Sequence, residues 1–261
     1  MSRSFGEEGA RLSYGSYLKV PELLDLQALL SDPPAHDELL FIIVHQAYEL
    51  WFKEVIFELE SVRTRLDEQD LAGASHLLAR VHAVEGVMIE HIKVLESMSP
   101  QDFLEFRHNL APASGFQSVQ FREIEFISGL KDERYLSRLI LTEDESALLQ
   151  RRLAEPTLWD AFCELLSQRG LPMPDDEPEV RQASLLTIAG DRDKYGDLFG
   201  VSEDLLEHDE RFAKWRYHHV LMVERQIGTK SGTGGSAGAP YLRSTLDKRF
   251  YPELWDLRSH L

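Results

Sequence analysis

The chain has 261 residues, 43% of them hydrophobic, the ordinary composition of a packed globular protein. Its 45 acidic side chains outweigh 28 basic ones, and a formal charge of -17 would repel a phosphate backbone, so nucleic acid is excluded as an expected partner. Cys163 is the single cysteine, which excludes an internal disulfide and any paired-cysteine covalent cofactor attachment. Met1 to Gly9 includes Glu7 and Glu8 and leads into no apolar run, unlike a secretory signal. The most apolar stretch, Leu39 to Val44, stops at His45, far short of the roughly 20 residues that span a bilayer. No membrane association is expected, and a cytoplasmic location is.

From Asp37 to Arg65 the large apolar residues fall at Phe41, Val44, Tyr48, Trp51, Phe52, Val55, Ile56, Leu59 and Val62, the spacing of one helix face. Leu71 to Met98 repeats the pattern. Ser99-Pro100 reads as an N-cap followed by proline at the first helical position, opening a helix over about Gln101 to Leu110. After Pro112 and Gly115 the periodicity resumes over Ser118 to Leu130, and Thr142 with Glu145 has the spacing of a capping box for a helix to about Leu153. Cys163 lies within a further apolar helical pattern, where it reads as core filler. Pro172 to Glu179 is proline-rich and acidic and reads as a surface loop, not a linker, because periodicity returns on both sides. Ser202 is predicted to cap a helix running to Ile227. A stretch with five glycines, Gly228 to Gly238, follows, and the chain closes on an aromatic segment around Phe250, Tyr251 and Trp255. No repeat is present, and no alternating run predicts a sheet; the expected fold is all-α, one large helical domain over residues 1–261.

Gly232 to Ala237 matches a dinucleotide fingerprint on paper, but it follows a helix where pyrophosphate binding needs a preceding strand, and the spacing of Lys230 fails the Walker pattern. A flexible surface loop and a loop folding closely over a small ligand both remain open. Among the ten histidines only Glu105 to His108 has Glu-x-x-His spacing, so a di-iron bundle lacks its second unit. His45 sits on the apolar face of Phe41, Tyr48 and Phe52, and His219 on that of Phe212, Trp215, Met222 and Val223. Either suits a core histidine bonded to a backbone carbonyl. Two of them on separate long helices also suit a flat apolar cofactor that takes one axial imidazole, which brings haem into consideration. Arg107, between Phe103, Phe106 and Leu110, suits either a local ion pair or a bidentate grip on a substrate carboxylate.

Four blocks in this order resemble the tryptophan 2,3-dioxygenase family. They are L-S-Y-G-S-Y-L from Leu12 to Leu18, F-I-I-V-H-Q-A-Y-E-L-W-F-K from Phe41 to Lys53, F-R-x-x-L-x-P-A-S-G-F-Q-S from Phe106 to Ser118, and W-R-Y-H-H through G-T-G-G-S-A-G from Trp215 to Gly238. The resemblance implies one haem b per subunit, ferrous in the active state, held by His219, with the adjacent His218 facing elsewhere. It implies His45 near the indole N-H as the catalytic-side histidine, Phe41 against the indole, and Arg107 on the carboxylate. Thr233 would lie near the ammonium and carboxylate, with Phe103, Leu110, Ser114 and Gly115 in the same pocket and the 228–238 loop closing over the amino acid. Tyr14, Tyr17 and Leu18, in the N-terminal segment 1–19, would reach a neighbouring subunit's pocket in a homotetramer built as a dimer of dimers. Phe103 stands where some relatives have tyrosine, and Ile92 replaces a tryptophan of some bacterial relatives. The implied reaction joins L-tryptophan and O2 to give N-formylkynurenine, the first step of tryptophan breakdown by the kynurenine pathway. A haem-binding sensor or carrier, and a dioxygenase for a modified indole, are the competing expectations.

Overall fold

The computed structural model of the chain describes residues 13–234 and 237–261. Met1 to Gly9, Leu12 of the first block, and Gly235 and Ser236 of the glycine-rich stretch lie outside the described residues. The described residues form helices and no strand, as the periodicity predicts. In chain order these are α1 (Tyr14–Leu18), α2 (Val20–Leu23), α3 (Glu38–Asp67), α4 (Leu71–Glu96), α5 (Pro100–Phe106), α6 (Val119–Ser128) and α7 (Tyr135–Arg138). There follow α8 (Glu143–Ala154), α9 (Leu158–Gln168), α10 (Pro178–Gly190), α11 (Arg192–Ile227), α12 (Ala239–Arg243) and α13 (Pro252–Leu257).

The start signals read from sequence operate as side-chain caps. Ser99 accepts from the Asp102 amide at 3.2 Å, with Asp102 reaching back, and Thr142 and Glu145 form the same reciprocal pair at the start of α8. Pro178 opens α10 at a first-turn position where its missing N–H costs nothing, so the acidic loop ends at Glu177. Ser202 does not start a helix. The last long helix begins ten residues earlier at Arg192, where Asp191 accepts from the Lys194 amide at 3.2 Å. Ser202 is buried inside it, its hydroxyl donating to the Phe199 carbonyl at 2.7 Å. A kink at Tyr195 (φ -121°, ψ 20°) and the low propensity of Gly196 and Gly200 hide this first part, which burial of Leu198 and Val201 holds in place.

Helix α4 packs against both α3 and α11, and the three carry the main core. Val44, Phe52, Val55, Leu59 and Val62 of α3 meet Leu78, Val81, Met88 and Ile92 of α4 and Leu205 and Phe212 of α11, all buried. Cys163 is buried here too, as expected of core filler. Two buried polar centres lock α11 to its neighbours. His208 bridges Glu85 of α4 through Nδ1 (2.7 Å) and Ser128 of α6 through Nε2 (2.9 Å). At the very next residue, Asp209 Oδ2 accepts from the amides of Phe250 (2.8 Å) and Tyr251 (3.1 Å) and from the Trp255 indole N–H (2.9 Å), which docks the C-terminal aromatic segment. Three donors on one buried carboxylate oxygen fix the azimuth of α11, and with it the direction in which His219 faces.

Candidate active site

Residues of α3, α4, α5, α6 and α11 and of the described part of the glycine-rich stretch together line a cavity of about 590 Å3. That volume is in the range of cofactor and small-molecule sites. Its walls carry Phe41 and His45 from α3, Ile92 from α4, Phe103 from α5, and His219, Met222 and Val223 from α11. Arg107, Leu110, Ser114, Gly115 and Thr233 complete the gathering of the residues singled out from sequence. Tyr14, Tyr17 and Leu18 do not line it: they sit on α1 with 79%, 70% and 45% of their surface exposed. His218 points out of the site and is exposed.

Each histidine is held in a definite form. His45 Nδ1 lies 2.7 Å from the Phe41 carbonyl, and since a carbonyl only accepts, Nδ1 carries the hydrogen. Nε2 is then the acceptor, provided the ring is neutral. Burial lowers the His45 pKa, which keeps it so. Phe41 flanks the ring at a 4.0 Å centroid separation and is itself stacked on Phe103 at 5.7 Å. On the opposite wall, His219 stacks on Trp215 with centroids 5.0 Å apart and planes 6° from parallel. Neither nitrogen of His219 has a hydrogen-bond partner among the described residues, so the stacked indole alone sets the ring's plane. Burial pushes its pKa down to about 4, helped by His45 across the cavity. The result is a neutral imidazole with an uncommitted lone pair in an apolar wall, the donor a haem iron takes.

The described part of the glycine-rich stretch up to Gly234 is tied to the cavity wall. Arg107 donates through its terminal nitrogen to the Ser231 carbonyl, and Thr233 Oγ1 donates to the Ala113 carbonyl at 2.6 Å. Arg107 Nε is buried with no partner among the described residues, so its fork retains capacity for an anion. Gly234 crosses close above Ser114: a Cβ there would stand 2.5 Å from the Ser114 Cβ. Of the two readings the sequence leaves for this stretch, the close fold over a pocket is the one its contacts support.

The chain matches the family described as Tryptophan 2,3-dioxygenase over residues 3–172 and 176–261. The chain belongs to the tryptophan 2,3-dioxygenase family. It is 57% identical over 263 residues to the tryptophan 2,3-dioxygenase of Nocardioides sp., covering 99% of this chain and 98% of that one. The corresponding enzyme of Herpetosiphon aurantiacus is 42% identical over 262 residues (96% and 98% of the two chains), and that of Myxococcus xanthus 40% over 263 (96% and 90%).

In this tryptophan 2,3-dioxygenase family member, Ile92 is 2% exposed and part of the cavity wall, and Phe103 offers a ring face with no hydroxyl. The cavity also has a polar end that sequence reasoning missed: Arg122 and Glu125 of α6, Arg216 of α11, and Tyr241 of α12. The three-residue spacing of Arg122 and Glu125 is the one available signal, and it is equally the mark of a solvated helix pair. Among the described residues no helix is long and apolar enough to cross a membrane.

Proposed function

We propose that the chain is a haem-dependent dioxygenase that opens the indole ring of L-tryptophan between C2 and C3 with O2, giving N-formylkynurenine as the first step of tryptophan catabolism. One observation carries the reading: two neutral imidazoles from different long helices, His45 and His219, face one apolar cavity that Arg107 and Thr233 also line. A haem b group fits the residues present. His219 would hold it, between walls that include Ile92, Leu95 and Val223. When bound, ferrous haem supplies the dioxygen chemistry, and the protein supplies orientation and a dry site.

The chain's own groups account for tryptophan. Nε2 of His45 accepts the indole N–H and holds the ring in place, a positioning role that needs no proton abstraction. Phe41, backed by Phe103, offers an aromatic face to the indole, and Leu110, Ser114 and Gly115 close the side of the pocket. The Arg107 fork takes the carboxylate with the donors left over from its bond to Ser231. Thr233 has spent its hydroxyl proton on Ala113, so its oxygen presents lone pairs that suit the ammonium group.

The exposed Tyr14, Tyr17 and Leu18 complete the pocket of a neighbouring subunit in a homotetramer, a dimer of dimers in which each subunit is one domain over 1–261 and binds one haem in the cytoplasm. Their large apolar exposure beside a short capped helix supports the assignment.

Oxygen uptake by the haem-loaded full chain, followed with and without L-tryptophan, tests the reading: consumption should depend on L-tryptophan and match formylkynurenine produced. Haem binding without tryptophan-dependent uptake would instead make the chain a sensor or carrier. His219→Ala should lose the native haem spectrum, and a variant retaining it at full occupancy refutes the axial role.

A further inference from the structure

The polar end of the cavity contains more cationic capacity than the protein itself uses. The Arg122 guanidinium is wedged among three aromatic faces, 4.2 Å from the Tyr135 ring centroid, 4.8 Å from Phe121 and 5.6 Å from Phe116, and the residue is 5% exposed. Among the described residues only its NH1 nitrogen finds an acceptor, Glu125 Oε2 at 2.5 Å. Nε is buried without a partner, and the other terminal nitrogen has none among the described residues. Glu125 is shared between two cations, its second oxygen accepting from Arg216 at 2.8 Å. Asp209 directs Oδ2 at the three C-terminal donors, and its buried Oδ1 makes no hydrogen bond to Arg122 or to any other described residue. Lys248 adds a further cation, its Nζ 5.8 Å from the Tyr135 ring, and the Tyr135 and Tyr241 hydroxyls meet at 3.0 Å beside the cavity.

A guanidinium has five N–H donors in a fixed fork, and burying one with most of them unanswered costs free energy that an anionic partner recovers. The stacked aromatic faces fix its plane, as suits a carboxylate. This cation is separate from Arg107, which bonds to the glycine-rich stretch and is assigned to the amino-acid carboxylate. A haem has an apolar body and two carboxylates on one edge, so a cavity with an axial imidazole in an apolar wall and an unanswered arginine at a polar end matches it at both places.

We propose that Arg122 is the anion-binding residue of a cofactor subsite and receives a propionate carboxylate of the haem, with Arg216 and Glu125 holding the cluster together. The inference rests on the haem reading above. Arg122 does not touch the amino acid, and its contribution is to affinity and seating of the porphyrin.

The test compares binding of ferric haem b and of its dimethyl ester, whose carboxylates are uncharged, to the full-length chain by Soret titration. The native chain should prefer the free acid by roughly ten- to a hundredfold, the scale of a charged hydrogen bond. Arg122→Met should abolish that preference while retaining ester binding, and Arg122→Lys should keep part of it. Equal weakening of both porphyrins in Arg122→Met, or a native chain indifferent to esterification, overturns the proposal; the native comparison decides even if the Met variant does not fold. A raised KM for L-tryptophan with unaltered haem preference also overturns it, giving the anion to the substrate. A native chain that takes up neither porphyrin removes the haem reading, and this inference with it, whereas the other outcomes leave that reading standing.

Discussion

Gly234→Ala isolates the closure of the glycine-rich stretch from the chemistry beneath it. The backbone at Gly234 is outside the left-handed region, so alanine is barred there by space and not by its dihedral preference. Its Cβ would stand 2.5 Å from the Ser114 Cβ, 3.1 Å from the Ser114 Oγ and 3.5 Å from the Pro112 carbonyl oxygen. Carbon atoms rest at about 3.5–4.0 Å, so one strand of backbone must withdraw by about 1 Å. The contacts at stake are the neighbouring 2.6 Å bond from Thr233 to Ala113 and the charged bond from Arg107 to Ser231. A neutral hydrogen bond contributes about 0.5–1.5 kcal/mol and a charged one about 1.5–3 kcal/mol. Loss of the first and weakening of the second gives about 1.5–2.5 kcal/mol, or roughly ten- to seventyfold in affinity. Steady-state oxygen uptake should show that rise in KM for L-tryptophan, with the thermal midpoint little changed because the stretch lies outside the core. Ser114→Gly in the same chain removes the opposing Cβ and should restore part of the loss. An unchanged KM in the single variant, or a double variant no better than the single, refutes the close-approach argument.

Asp209→Ala leaves two buried backbone amides and the half-buried Trp255 indole N–H without an acceptor. At about 1–3 kcal/mol for each orphaned donor, the loss should reach at least about 3 kcal/mol in urea unfolding, and a loss under about 1 kcal/mol would contradict the clamp. The haem-free chain should also weaken in mild acid. His82 and His219 have folded pKa values pushed down to about 4 from 6.5, first by burial, so the unfolded chain binds protons that the folded chain refuses. Their contribution is complete above about pH 6.5 and is lost progressively as pH falls toward 4. Between pH 6.5 and 5, above the ordinary carboxylate range, stability should fall at a slope approaching about 1.4 kcal/mol per pH unit for each fully protonating site. Denaturant midpoints that stay flat across that interval would show that neither ring is held neutral.

Helix starts were legible at Ser99 and Thr142, where the residue that signals the start is the one that makes the bond, but the side-chain caps at Thr157 and Asp191 went unread. They were illegible where burial overrides propensity. The first part of α11 contains Gly196 and Gly200 and a kink at Tyr195, and only packed Leu198 and Val201 make it helical, so Ser202 looked like a cap and is an interior residue. His45 and His219 stood out because each interrupts an apolar face, and that signal survives any connectivity. That they face one cavity depends on how α3 and α11 are both seated on α4, which periodicity does not encode.

The charged end of the cavity was hidden for a different reason. Helical periodicity sorts residues by where apolar side chains repeat, and it assigns every arginine and glutamate to solvent by default. Arg122, Glu125 and Arg216 defeat that rule because they are buried together: the ion pairs and aromatic faces that make their burial tolerable come from α6, α7 and α11 at once. The same burial acts in opposite ways at the two ends of the cavity. At His219 it expels the proton and leaves a lone pair, while at Arg122, whose guanidinium does not give up its charge, it leaves a cation in want of a partner. A ligand that satisfies both must be apolar with an electron-pair acceptor at its centre and anionic at one edge, a far narrower requirement than either end imposes alone.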